Sequence, residues 1–150
     1  MFLRDILLFL TIQAAMAIFA LAEAYQEGKH GWKYNHRWFS VPIPGGYWLH
    51  AYHVFMFVGI FPLLLFVLPI LIAGWNTHLF LILLFSYLIG LVLEDFLWFV
   101  VNPQFSFKKW NPRYVRWYPW IRIGNHAIPL MYVVVFALAT LLLIASFLPK

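Results

Sequence analysis

Two adjacent carboxylates, Glu94 and Asp95, lie within a mostly apolar stretch that runs from Leu79 to Val101. A charged side chain inside a bilayer is costly unless it is protonated, paired, hydrated or bound to a metal. The carboxylate pair therefore indicates a functional site, and its partners must come from elsewhere in the chain.

Histidines are the first candidate partners. His50 and His53 are three residues apart, so on a helix they share a face and can hold one metal ion from adjacent turns. Glu94 and Asp95 point about 100° apart on a helix, so one can bind a metal while the other hydrogen bonds to a ligand histidine. Glu23 at the end of the first apolar run and His126 at the start of the last one complete the set. The predicted metal ligands are Glu23, His50, His53, Glu94, Asp95 and His126.

The donor types restrict the metal. The chain has no cysteine, which excludes thiolate sites and disulfides. Mixed histidine and carboxylate donors suit a divalent transition metal, namely Zn, Fe(II) or Mn. Two alternatives stay open: the carboxylates form ion pairs with Lys or Arg of the loops, or His53 and His126 face each other across a heme.

The elements that position these residues are apolar helices. Hydrophobic residues make up 65% of the 150 residues and charged residues only 10%, far from the composition of a soluble domain. Spans of about 20 apolar residues cross a bilayer as helices. We expect one domain, an all-α integral membrane protein that forms a four-helix up-and-down bundle, with spans at about 4–24, 48–73, 79–101 and 126–148.

Two loops rich in aromatic and basic residues separate the spans on one side. They contain eight of the ten Lys and Arg residues, namely Lys29, Lys33, Arg37, Lys108, Lys109, Arg113, Arg116 and Arg122. The positive-inside rule predicts that these loops are cytoplasmic and that both termini lie outside. Because the helix direction alternates, all six predicted ligands then lie in one layer beneath the cytoplasmic interface.

The predicted function is a membrane-embedded metal site, with a metalloenzyme that acts on a lipid or other hydrophobic substrate as the leading hypothesis. One alternative is a proton- or ion-conducting unit, and another is a structural subunit of a membrane complex. The net charge of +5 does not indicate nucleic acid, because the basic residues flank spans and suit anionic membrane lipid. Other expected partners are copies of the chain in a homo-oligomer, or another membrane protein.

Overall fold

In the computed structural model, helices form most of the chain that the structure describes, which is residues 2–31, 38–43 and 47–148. The four helices are α1 (Phe2–Glu27), α2 (Ala51–Ala73), α3 (Thr77–Val101) and α4 (Leu130–Phe147). Each is long and apolar enough to cross a membrane. The prediction of a helical chain with four such helices is confirmed.

Helix α1 is longer than its apolar run. It continues through Glu27, one turn beyond the predicted end near residue 24. The helix ends where Gly28 takes a positive φ of 56° and its N–H donates to the Ala24 carbonyl at 3.1 Å, as is common at helix C-termini. This extra turn places Glu27 on a helix instead of in the loop.

Helices α1 and α3 run parallel to each other. The Gln13 side chain donates to the Ser86 carbonyl at 2.9 Å, and about four turns further along the Asn102 side chain donates to the Gly28 carbonyl at 2.7 Å. Between these bonds the helices approach closely at Gly90, where an added Cβ would lie 2.7 Å from Cγ of Met16. Helix α3 is therefore fixed against α1 along its whole length.

Helix α4 packs antiparallel to the other side of α3. His78, at the start of α3, hydrogen bonds to the carbonyl of Ser146 near the end of α4. At the opposite end, the Tyr132 hydroxyl near the start of α4 donates to Asp95. Helix α3 is thus the central helix, in contact with both α1 and α4.

Helix α2 is antiparallel to α3 but less buried. The Tyr87 hydroxyl of α3 donates to the Phe57 carbonyl of α2 at 2.7 Å. Two stretches of α2 are π-helical, Val54–Ile60 and Leu63–Val67. Pro62 lies between them and cannot donate a backbone hydrogen bond, which fits a local change of helix type. Apart from Ala51 and His53, no residue of α2 is fully buried.

Short β-hairpins precede α2 and α4. The first pairs β1 (Ser40–Ile43) with β2 (Tyr47–His50), and the second pairs β3 (Trp120–Ile123) with β4 (His126–Pro129). Because Tyr47–His50 and His126–Pro129 belong to strands, α2 begins at residue 51 and α4 at residue 130, three and four residues later than predicted. The loop after α3 contains one 3-10 turn, Phe107–Lys109.

This loop after α3 folds back on the bundle. Its side chains form an aromatic core with the ends of α1 and α3, whose buried members are Ala24, Trp98, Phe99, Phe105, Val115 and Tyr118. A second apolar cluster lies toward the other end of the bundle and consists of Ile12, Met16, Leu83 and Tyr87. The two clusters enclose the layer that holds most of the buried carboxylates.

Candidate metal centre

Three buried side chains from two helices bring their donor atoms together. Glu23 and Glu27 lie on α1 and His53 lies on α2, and each is at most 5% exposed. Nε2 of His53 is 3.6 Å from Oε1 of Glu23 and 3.7 Å from Oε1 of Glu27. Donor atoms of all three residues lie within 4.8 Å of one another.

These separations suit coordination of one ion. Two donors that each lie about 2.1 Å from a tetrahedral Zn²⁺ are about 3.4 Å apart. The two measured His53–carboxylate distances are close to that value. The group can therefore close around a metal ion with small side-chain movements.

The local structure explains why these residues meet. Glu23 and Glu27 are four residues apart on α1, so they lie on the same face, one turn above the other. His53 is in the first turn of α2, directly after strand β2. Its ring packs against Phe57, with centroids 6.0 Å apart, and edge-on to Tyr52 at 5.3 Å. The imidazole is therefore held by aromatic neighbours on its own helix.

Glu94 of α3 lies beside this group of three. It is 3% exposed, and its carboxyl lies within hydrogen-bonding reach of Glu23, which also contacts the Tyr52 hydroxyl. One oxygen of each carboxyl, Oε1 of Glu23 and Oε1 of Glu94, is buried and has no hydrogen-bond partner among the described residues. Buried acceptors without a donor are rare, and Oε1 of Glu23 is the same atom that lies 3.6 Å from His53.

Asp95 has a different environment from Glu94. The hydroxyl of Tyr118 donates to one of its carboxylate oxygens, and the hydroxyl of Tyr132 donates to the other. Burial, and then the negative charge of Asp95, raise the pKa of Tyr118 well above its usual value, so this hydroxyl stays protonated and can donate. Asp95 thus ties α3 to α4 and to the loop after α3.

The described Lys and Arg side chains do not balance the charge of this layer. The layer contains Glu23, Glu27, Glu94 and Asp95, which are four of the five acidic residues in the chain. In the part of the chain that the structure describes, no Lys or Arg lies within 4 Å of any of the four. Several carboxylates buried without a counter-charge are strongly unfavourable, so protons or a cation must compensate them.

The structure assembles some of the predicted ligands and separates others. Glu23, His53 and Glu94 come together, and Asp95 lies next to them on α3. His50 is adjacent: its Nδ1 lies 2.8 Å from Oγ of Ser40, and its ring is 6.0 Å from that of His53.

His126 lies outside the group. It does not open α4 as expected, because it belongs to strand β4, where it pairs with Ile123 and its side chain is exposed. The expectation that α4 contributes a histidine to the layer is therefore corrected. Helix α4 contributes Tyr132, which bonds to Asp95.

Sequence reasoning missed Glu27 and Tyr118. Glu27 is followed by a loop that is rich in charged and aromatic residues, and it was grouped with that loop. Its spacing of four from Glu23 is the signal that could have identified it, since this spacing puts both on one helix face. Tyr118 has no such signal, because it reaches Asp95 only through the folding of the loop after α3.

A small cavity lies beside the carboxylates. Its volume is about 10 Å³, and its lining includes Glu23, Glu27, Asp95, Trp98 and Tyr118. A space of about this volume holds roughly one water-sized molecule. The cavity therefore admits one water-sized molecule beside the carboxylates, and it has no room for a lipid chain in this conformation.

The group lies near one end of the bundle, and the described residues between it and the other end are mostly apolar. The apolar cluster of Ile12, Met16, Leu83 and Tyr87 intervenes. At the far end, His78 hydrogen bonds to Asp5 at 3.0 Å. At the level of the apolar cluster, Gln13, Ser86 and Tyr87 contribute polar groups, and each donates a side-chain hydrogen bond to a helix carbonyl. No known protein family, curated protein or solved structure matches this chain.

Proposed function

We propose that the chain is an integral membrane protein in which the four helices form an up-and-down bundle. The observation behind this proposal is the outer surface of the helices, which exposes large apolar side chains. On α2 and α4 these include Val58, Leu64, Leu71, Ile72, Val134, Leu141 and Ile144. In lipid, such a surface faces acyl chains, and the backbone polar groups are satisfied within each helix.

We propose further that the buried group binds a divalent transition metal, with Glu23, Glu27 and His53 as ligands and Glu94 beside them. The observation that carries this proposal is the spacing of the His53 Nε2 atom from the two carboxylate oxygens, 3.6 and 3.7 Å. Oxygen and imidazole donors suit Zn, Fe(II) or Mn. The cation would compensate the buried carboxylates and join α1, α2 and α3.

The reaction that such a metal would support is limited by the space beside it. A metal with an accessible coordination position can activate water or polarise a substrate oxygen. The adjacent cavity of about 10 Å³ admits a ligand of about the size of water. A reaction on a lipid-like substrate would require the loop after α3, which carries Tyr118, to move away from the site.

We propose that the two hairpin-bearing loops face the cytoplasm, which places the metal site near the cytoplasmic interface and both ends of the chain outside. Six basic residues of these loops are exposed in the structure: Lys29, Lys108, Lys109, Arg113, Arg116 and Arg122. Lys33 and Arg37, which also support the prediction, lie outside the described residues. An excess of Lys and Arg near spans marks the cytoplasmic side.

Metal content is the test of the proposed site. The protein is purified in mild detergent without a polyhistidine tag, offered Zn, Fe(II) or Mn, and analysed for bound metal per chain. Wild type is expected to hold metal stoichiometrically, and His53→Ala to lose it. His126→Ala is the matched control, because it removes an exposed histidine and should leave metal binding unchanged.

Two results would overturn the metal proposal. The first is a folded wild type that stays empty with all three metals. The second is equal metal content in wild type, His53→Ala and a Glu23→Gln, Glu27→Gln double variant, which would place the bound ion elsewhere.

A further inference from the structure

The acidic and basic residues of the chain are segregated. None of the five acidic residues is exposed, whereas the basic residues of the described loops are all exposed. Within the described chain, Arg4 is the one Lys or Arg that lies within 4 Å of a carboxylate, at 3.6 Å from Asp5. The loop cations therefore obtain no counter-charge from the described carboxylates, and an external anion can supply it.

One loop cation lies in a pocket. The pocket is formed by the loop after α3 and the β3–β4 hairpin, has a volume of about 580 Å³, and is lined by residues that include Trp110, Asn111, Arg122, Asn125 and His126. This volume is in the range of small-molecule sites. It is far larger than the cavity beside the carboxylates, and the two share no lining residue.

The walls of this pocket are held in place by their own contacts. The Asn111 side chain donates to the Lys108 carbonyl at 2.9 Å and accepts from the Arg113 N–H at 3.0 Å. The Trp110 ring stacks on Phe107, with centroids 5.8 Å apart. Asn111 and Trp110 are therefore structural, which leaves Arg122, on the face of the hairpin that it shares with Ala127, and Asn125 of the turn to contact a ligand.

We propose that this pocket binds a phosphate group, with Arg122 as the principal contact. A guanidinium group presents several N–H donors in a planar fork that matches phosphate oxygens. The Asn125 amide can add a neutral donor from the turn of the same hairpin. The chemistry is shared by the headgroup of an anionic phospholipid and by free phosphate.

The position of the pocket favours a phospholipid. Strand β4 leads directly into α4, and the first turns of α4 expose Leu130, Val133 and Val134. A headgroup at Arg122 would therefore have an apolar helix surface next to it for its acyl chains. This preference rests on the proposed membrane insertion and not on the proposed metal.

Calorimetric titration of the purified full chain in mild detergent tests the proposal. The probes are dioctanoyl phosphatidic acid, dioctanoylglycerol, which lacks the phosphate, and inorganic phosphate. Wild type is expected to bind phosphatidic acid, and Arg122→Gln to bind it at least about tenfold more weakly, since hydrogen bonds to charged groups are among the stronger ones. Arg113→Gln removes another exposed charge of the same loop, one outside the pocket lining, and should change the Kd less than about twofold.

The results of this titration distinguish a lipid headgroup from free phosphate and from a general charge effect. Binding of phosphatidic acid but not of dioctanoylglycerol, with selective loss in Arg122→Gln, supports a lipid headgroup. Equal competition by inorganic phosphate supports free phosphate as the ligand of the same site. Equal weakening of phosphatidic acid binding in both arginine variants would show that only the general positive charge matters, and it would overturn the proposal. Absence of phosphatidic acid binding by folded wild type would also overturn it. Metal content measured on the same samples shows whether the proposed metal site fails independently.

Discussion

Glu94 and Asp95 are neighbours in the sequence but face different partners. Glu94 lies beside Glu23 with one buried oxygen that has no described hydrogen-bond partner, whereas both oxygens of Asp95 accept from tyrosines. The angle of about 100° between successive helical residues accounts for this difference. One helix turn thus supplies one carboxylate to the proposed metal site and one to the contact between α3 and α4.

Substitution of each carboxylate by its amide should separate these roles. Glu94→Gln is expected to lose metal or to bind it far more weakly, because it removes a charge next to the proposed ion. Asp95→Asn should weaken metal binding by less than the roughly tenfold that loss of a ligand-supporting residue costs, because the Asp95 oxygens accept from Tyr118 and Tyr132 and not from a proposed ligand. Competition with a chelator of known affinity measures the metal affinity of both variants.

The opposite order would exchange the two roles. If Asp95→Asn abolished metal binding while Glu94→Gln retained wild-type affinity, the assignment of the two side chains would be wrong. Indifference of metal binding to both substitutions would remove α3 from the site.

Helices α1 and α3 pack most closely where Gly90 of α3 faces Met16 of α1. An added Cβ would lie 2.7 Å from Cγ of Met16, which is 1% exposed and cannot move into solvent. Gly90→Ala is therefore expected to destabilise the fold by about 1–3 kcal/mol, the usual cost of overpacking. Thermal unfolding in detergent, followed by circular dichroism, measures the effect.

A matched glycine supplies the control. At Gly59 of α2 an added Cβ would meet nothing closer than the Val54 carbonyl oxygen at 3.8 Å, so Gly59→Ala should not lower the unfolding temperature. Met16→Ala should reduce the cost of Gly90→Ala, because it removes the Cγ atom. Equal unfolding temperatures for both glycine variants would show that α1 and α3 do not approach as described.

The four helices could be predicted because each is a long apolar run, and length and hydropathy suffice to recognise such runs. Their ends were less predictable. His50 and His126 lie in strands whose pairing depends on residues ten and three positions away, and no helical pattern in the sequence indicates where such a hairpin stops. This is why His126 was expected in the layer and is instead exposed.

The layer itself could be predicted in part. Alternating helix directions bring Glu23, His53 and Glu94 to one level, and this requires only the order of the helices. The contact of Tyr118 with Asp95 depends on how the loop after α3 folds over the bundle. Periodicity does not extend through such a loop, so its contribution to the site could not be derived from the sequence.

The whole molecule combines an apolar outer surface, carboxylates on the inside and basic residues in the loops of one end. If the chain inserts as proposed, residues at the two ends of the bundle lie on opposite sides of the membrane. Because the chain has no cysteine, single-cysteine variants report each end without background. Ser106 and Trp75 are exposed and lie at opposite ends of α3.

Labelling of intact cells with a membrane-impermeant maleimide tests this arrangement. Trp75→Cys should be labelled from outside, and Ser106→Cys only after the membrane is permeabilised. The reverse pattern would invert the proposed orientation and place the metal site near the outer interface. Labelling of both positions in intact cells would contradict the crossing of α3.

X-ray absorption at the zinc edge of the zinc-loaded, tag-free protein is the sharpest test of the metal site, because it reports the donor atoms around the ion. We expect oxygen and nitrogen donors at about 2.0–2.2 Å, with imidazole scattering from His53 that disappears in His53→Ala and persists in His126→Ala. A zinc ion surrounded by oxygen alone in wild type, or imidazole scattering that survives His53→Ala unchanged, would contradict the proposed site.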